Sequence, residues 1–406
     1  MQALVTERPV SRPWLWLGRR ANRPGRPSWR RVAGSAIFAA LLVAISTAVS
    51  TVVHLRLPTP TGTYETGKIA GVLVDAARPE PGSASTTDHR SVRVVAWYPA
   101  VPGTGRPASY VSDLETVADG LVASGEVGGL EAAGLRFVRD PAFAGADVAV
   151  DEPTYPVVVL SPGNATNVEF YSALAEDLAS HGFVVIGLDH PYQSAAVALD
   201  GGVAVYSGDP PLDQAAAVTS SRIDERVADI AFILHSLSNS APGLDLLAGR
   251  LDLTRVGIMG HSNGGVAAAE ACADRRIDAC LNIDGQLAGG PFSARPDPAA
   301  PTKPFMYLTK EAELHPSLAA LFEASGVDTF RAVVPGAAHD EFADPAMFRP
   351  RILPTASVAD DVITVSRGLS LAFFDHTLRD APVTVFSDLA APTDIQIYVY
   401  PLEARQ

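Results

Sequence analysis

Residues Val256 to Gly265 read VGIMGHSNGG, and this segment constrains the fold more tightly than any other. Arg255 to Met259 has the apolar, β-branched character of a buried strand. It breaks at Gly260-His261-Ser262-Asn263-Gly264, and the stretch that follows, GVAAAEACA, holds no helix breaker after Gly265. The pattern dictates strand, tight turn and helix, with Ser262 at the turn. A serine hydroxyl is a weak nucleophile at its own pKa. A strained strand-to-helix turn exposes it to a base and sets it beside unpaired backbone N–H groups, and glycines two residues before and after permit that turn. A chain with 33 glycines can produce Gly-x-Ser-x-Gly by chance, so it is the strand–helix context that identifies the turn as a nucleophile elbow.

With 406 residues, 47% of them hydrophobic and 19% charged, the chain can bury a large core, and residues 57–406 suit one catalytic domain with inserts near 109–150 and 191–221. The formal charge of −14 conceals an asymmetry. The first 31 residues hold eight of the 31 basic side chains and one of the 45 acidic ones, so the remainder carries −21. Such a body repels phosphate backbones, and no basic patch is interleaved with aromatics; both features exclude nucleic acid as a partner.

The basic segment 1–31 is followed by Val32 to Val53, 22 residues without charge or proline. At about 1.5 Å per residue such a helix spans the ~30 Å hydrocarbon core of a bilayer. The arginines should stay cytoplasmic, which places everything after Arg56 outside the cell membrane. Two readings remain open: a retained single-pass anchor, or an export signal, with Arg30-Arg31 as a twin-arginine candidate, cleaved near Ala48 to Ser50 with secretion of the domain. Cys272 and Cys280 are too few for a disulfide framework. Two separately buried thiols are the expectation, a bridge the alternative if the elbow helix returns to the start of the next strand.

Strand signals at Ser91 to Tyr98, Pro156 to Leu160, Phe183 to Leu188, Arg255 to Met259, Leu281 to Ile283, Pro304 to Leu308 and Phe330 to Val334 are interleaved with helical signals at Val168 to Ser180, Arg222 to Leu237 and Val358 to Leu378. This alternation predicts a mostly parallel sheet covered by helices on both faces, with ligands at the carboxyl ends of the strands. Ser262 follows one such strand, Asp284 the next, and His339 lies five residues beyond Val334. The order Ser, Asp, His is that of an α/β-hydrolase, in which the imidazole takes the serine proton and the carboxylate orients the imidazole. The other histidines fit poorly as base. His54 lies at the membrane segment, His89 precedes a strand, His181 ends a helix, His235 and His376 lie on helices, and His315 lies in a surface loop. His261 is expected to point away from the base, and His190 to shape the pocket. An acid one strand later, Glu311 or Glu313, is the alternative to Asp284. The oxyanion donors are expected to be the backbone amides of Asn263 and of Asn164, the latter in the turn Ser161-Pro162-Gly163-Asn164.

Tyr155 to Tyr171 (YPVVVLSPGNATNVEFY), Leu178 to His190 (LASHGFVVIGLDH), the GHSNGG elbow, Asn282-Ile283-Asp284 and Ala338-His339, in this order and spacing, resemble the platelet-activating-factor acetylhydrolase family, α/β-hydrolases also described as lipoprotein-associated phospholipases. TGTYETG at 61–67 and RVVAWYPA at 93–100 resemble the opening of its bacterial members, so the likeness covers about residues 58 to 380. The resemblance implies Ser262 as nucleophile, Asp284 as acid, His339 as base, and Asn164 and Asn263 as amide donors. Two positions depart from the family pattern: Pro162 stands where many relatives have histidine, and Asn263 where they have an aromatic or aliphatic residue. Backbone donation survives both. Ser109 to Arg139 is expected to form helices over the sheet edge, and with Pro191 to Ser221 to supply a lid or an acyl-chain wall.

The leading expectation is a serine esterase acting on short-acyl, lipid-like esters through an acyl-enzyme. A cutinase-like polyester or general lipase activity is the second, and a non-enzymatic surface module on a hydrolase fold the third. No cofactor or metal is implied: there is no phosphate loop and no zinc-protease spacing, and the only lysines are Lys68, Lys303 and Lys310.

Overall fold

A computed structural model describes residue 38 and residues 55–125, 127–239, 241–287, 301–311, 313, 315–348, 356–386 and 396–400. The Val32 to Val53 run expected as anchor or signal lies outside the described residues, Phe38 excepted. Among the described residues no helix is long and apolar enough to cross a membrane. All that follows lies within the compact unit Val49–Gln406.

The strands are β1 (Glu65–Pro79), β2 (His89–Ala100), β3 (Arg106–Ser109), β4 (Arg139–Ala144), β5 (Tyr155–Ser161), β6 (Val184–Asp189), β7 (Ala196–Leu199), β8 (Gly202–Val205), β9 (Leu251–His261), β10 (Ala279–Ile283), β11 (Phe305–Thr309), β12 (Thr329–Val333) and β13 (Gln396–Tyr400). The helices are α1 (Leu114–Ala123), α2 (Gly129–Leu135), α3 (Ser172–Ser180), α4 (Ala215–Asn239), α5 (Asn263–Ala271), α6 (Pro316–Ala324) and α7 (Ala356–Arg379). Among the described residues one large sheet has the order β13-β12-β11-β10-β9-β5-β6-β2-β1-β4-β3, and β7 pairs with β8 apart from it. The run from β12 through β9 and β5 to β6 is parallel, while β2 joins β6 and β13 joins β12 antiparallel. This is the α/β-hydrolase sheet expected from the alternation of signals.

Period-2 geometry explains why the central strands are apolar at most positions on both sides: both faces are covered. On one face Trp97, Val158, Leu160, Val185, Met259 and Leu281 pack with residues of α3 and α7 such as Leu174, Leu178, Leu369 and Phe373. On the other, Val157, Val159, Ile186, Ile258 and Cys280 meet Ile223, Ile230 and Ile233 of α4 and Val266 and Ala267 of α5. The first insert does form helices, α1 and α2, and α1 packs on the β7–β8 hairpin of the second insert.

The expectation for the cysteines does not hold: Cys272 and Cys280 form a disulfide. The elbow helix ends at Ala271, where a 3.6-residue period has carried it back down the sheet, and β10 starts one short turn later beside it. Residues eight apart in sequence are thereby brought to a Cα–Cα distance of 6.0 Å, within the reach of a bridge.

Candidate active site

Strand β9 ends at His261 and α5 begins at Asn263, so Ser262 alone makes the turn. It adopts φ 55° and ψ −125°, a conformation that residues with a Cβ rarely take and that surrounding structure must enforce. Crowding explains the flanking glycines. A Cβ on Gly260 would lie 2.2 Å from the Gly264 carbonyl oxygen, and one on Gly264 would lie 2.1 Å from that of Ser161. The Ser262 N–H donates to the Ile283 carbonyl at 2.9 Å, which ties the turn to the next strand.

That strand ends at Asp284, also in a left-handed conformation with φ 48°. The buried Asn282 braces the bend: its Oδ1 accepts from the Gly285 N–H at 2.7 Å and its Nδ2 donates to the Gly285 carbonyl at 3.1 Å. Asp284 Oδ1 accepts from the Thr309 hydroxyl at 3.0 Å and the Lys310 N–H at 3.2 Å. Its Oδ2 accepts from His339 Nδ1 at 2.6 Å. Burial works to raise the pKa of this carboxyl, but the hydrogen bond and charge of His339, with help from Lys310, outweigh it and hold the group below the ordinary carboxylate range. The carboxylate only accepts, so Nδ1 of His339 carries its proton and Nε2 is left to accept from the Ser262 hydroxyl, 2.9 Å away. Glu311 and Glu313 are exposed, and Glu311 pairs with Lys310 at 3.4 Å. Among the described residues neither touches the imidazole.

The Ser161–Asn164 turn leans on the elbow, for a Cβ on Gly163 would lie 3.5 Å from Ser262 Cβ. Arg226, fully buried on α4, donates to the carbonyls of Pro162 at 2.6 Å and Gly163 at 3.4 Å and to Asn164 Oδ1 at 3.2 Å. Burial pulls its pKa down to about 10, which leaves it cationic at neutral pH. In a trans peptide the carbonyl and the following N–H point in opposite directions. Drawing the Gly163 carbonyl toward Arg226 therefore turns the Asn164 amide away from it. Among the described residues neither the Asn164 nor the Asn263 amide donates a hydrogen bond inside the protein.

Two expectations about histidines are corrected. His190 does not shape the pocket. It is sealed beneath the turn, with Nε2 2.9 Å from Ser161 Oγ and Nδ1 2.8 Å from Asp229 Oδ2, and burial plus the nearby charge of Arg226 takes its pKa down to about 4. Nor does His261 point away from the base: its ring centroid is 4.6 Å from that of His339, and its Nε2 is 2.9 Å from the His339 carbonyl oxygen. Sequence reasoning assigned no role to Asn282, Tyr171 or Arg226. Arg222 and Arg226, four apart on a helix that also carries Ile223 and Ile230, are the signal that charge lies on a buried face. An open cleft of about 200 Å³ runs beside Asp284 and His339, with Gln286, Tyr307, Lys310 and Leu318 among its walls.

Residues 108–201 match the family described as platelet-activating factor acetylhydrolase, isoform II, a stretch that includes Asn164 and ends before Ser262. A "Probable 1-alkyl-2-acetylglycerophosphocholine esterase" of Arthroderma benhamiae is 31% identical over 140 residues, 34% of this chain and 33% of that protein. The platelet-activating factor acetylhydrolase of Cavia porcellus is 28% identical over 152 residues, 32% of this chain and 35% of that protein. The matched stretches thus span about a third of the length of these curated relatives. Among solved structures, a ferulic acid esterase from Streptomyces cinnamoneus is similar with a TM-score of 0.65 and 28% identity, over 84% of this chain and 98% of that one. The family resemblance and the α/β-hydrolase fold read from the sequence are both borne out, the first over a narrower stretch than residues 58 to 380.

Proposed function

We propose that this relative of the platelet-activating-factor acetylhydrolases is a serine carboxylic-ester hydrolase that works through an acyl-enzyme. The observation that carries the reading is the unbroken line from Asp284 through His339 to Ser262, 2.6 and 2.9 Å long, ending on a strained serine. Ser262 Oγ attacks the ester carbonyl as His339 Nε2 takes its proton, and Asp284 stabilises the imidazolium. Negative charge on the carbonyl oxygen develops against the Asn164 and Asn263 amides; one such donor is worth roughly 10²–10³ in rate. His339 then protonates the departing alkoxide, and water, activated by the same imidazole, releases the acid.

For substrate, we favour short-acyl, lipid-like esters. The family match supports this. The likeness to a ferulic acid esterase over most of the chain favours a second reading, aromatic acyl esters. Hydrolysis of p-nitrophenyl esters from acetate to palmitate, alongside methyl ferulate and with Ser262→Ala as control, tests both. Activity concentrated at acetate and abolished by the substitution is expected. Activity that survives Ser262→Ala overturns the mechanism, and preference for ferulate or for palmitate overturns the acyl assignment.

The domain is proposed to work outside the cytoplasm, held at the membrane by residues 32–53. The arginine-rich flank and the Cys272–Cys280 disulfide, a bond that persists in oxidising compartments, support this reading. A shortened species found only in the culture medium would contradict the anchor.

A further inference from the structure

We infer that His261, the residue before the nucleophile, is a positioning residue that fixes the base and the oxyanion loop relative to each other through a one-way hydrogen-bond line with Tyr171. The inference rests on Ser262 and His339 acting as proposed above. Its direction follows from which groups can donate. The His339 carbonyl only accepts, so Nε2 of His261, 2.9 Å away, bears the ring proton. Nδ1 must then accept, and the Tyr171 hydroxyl supplies the proton at 2.8 Å. With its proton so used, the Tyr171 oxygen accepts from the Gly163 N–H at 3.2 Å. The three bonds therefore run in one sense. The line runs from the main chain of the residue bearing the base to the main chain of the turn bearing Asn164.

The placement gives the line a purpose. His339 follows β12 and Asn164 follows β5, on opposite sides of β9, so no sheet hydrogen bond joins the two loops directly. Nucleophilic attack nevertheless needs the imidazole and the amide donors in register around one carbonyl, and a displacement of about 1 Å can cost roughly 10²-fold in rate. His261 and Tyr171 are almost wholly buried, so water does not compete for these bonds. Burial, reinforced by His339, lowers the His261 pKa to about 3, and burial raises that of the Tyr171 phenol, so both keep the protonation the line requires. Arg226 holds the same turn from the opposite side through Pro162 and Gly163.

The test uses the full chain carrying His261→Phe, Tyr171→Phe, the double substitution, and His261→Gln, whose amide can again donate and accept. Thermal melts establish the folded fraction. For that fraction kcat and KM on p-nitrophenyl acetate are measured, together with the affinity of an alkyl boronic acid that forms a tetrahedral adduct on the serine. Each single phenylalanine variant is expected to lose about 10- to 100-fold in kcat with little change in KM. Boronate affinity should fall in step, the double variant should be no worse than His261→Phe, and glutamine should restore part of the loss. Single losses that multiply in the double variant would overturn the shared line, as would wild-type kcat in folded His261→Phe and Tyr171→Phe. If His261→Phe does not fold, Tyr171→Phe and His261→Gln still decide between these outcomes. A wild type inert on every ester would overturn this inference along with the catalytic reading. An active wild type, silenced by Ser262→Ala yet indifferent to the His261 and Tyr171 changes, would overturn this inference alone.

Discussion

Asp284 combines a left-handed backbone with hydrogen bonds from Thr309, Lys310 and His339, a concentration of constraints that only a fixed role for its carboxylate explains. Asp284→Asn should lower kcat by about 10⁴, because an amide no longer selects the right imidazole tautomer, while Glu311→Gln should stay within about twofold of wild type. Steady-state kinetics on a short ester decides, and the reverse result would move the acid to the later strand. His261 makes a distinct prediction for stability. Its folded pKa of about 3 lies below the ~6.5 of an unfolded histidine, so as pH falls the unfolded chain takes up the proton first. The stability this residue contributes is whole above about pH 6.5 and declines as pH falls toward 3, at roughly 1.4 kcal/mol per unit. The gap in urea stability between wild type and His261→Phe should therefore narrow by about 2 kcal/mol from pH 7 to pH 5; a constant gap would contradict a buried neutral imidazole. Ser262, Asp284 and His339 were legible because each follows a short apolar run that names itself as a strand. His261 and Tyr171 were not. Their bond joins residues 90 apart, and nothing local distinguishes a histidine that braces a loop from one that faces solvent.

Among elements, the elbow helix α5 and strand β10 form one unit, stapled at the far end by Cys272–Cys280 and joined at the near end by the Ser262 N–H to Ile283 bond. Replacing both cysteines by serine should cost about 2–3 kcal/mol, from the entropy of so short a loop. Calorimetry should show a lower Tm with kcat per folded molecule largely retained; an unchanged Tm would mean the bridge does not form. The central strands were readable because full burial on both faces leaves uninterrupted runs such as PVVVL. Strands away from the centre of the sheet were harder. Glu65–Pro79 mixes buried and exposed positions, and the four-residue strands Ala196–Leu199 and Gly202–Val205 are too short for periodicity to declare them. The disulfide was missed for a related reason: only the return of α5 along the sheet brings Cys272 to Cys280.

For the molecule as a whole, the sheet acts as a frame on which α4 and α7 seal opposite faces. Phe373, wholly buried on α7 against Phe330 and Phe374, should cost about 3–5 kcal/mol when changed to alanine, and urea denaturation will register it. A loss below about 1 kcal/mol would contradict its place in the core. The acidic body, at −21 beyond residue 31, repels anionic surfaces, so access to lipid-like esters is expected to depend on tethering rather than on attraction to headgroups. The proposed function turns on one chemical event, transfer of an acyl group to Ser262. The most direct test is to mix the protein with p-nitrophenyl acetate, quench in acid within the first turnover, and locate the adduct by peptide mass spectrometry. One acetyl group per chain on Ser262, absent from Ser262→Ala, is the predicted result. Steady hydrolysis with no adduct at Ser262, or with the acetyl group on another residue, would contradict it.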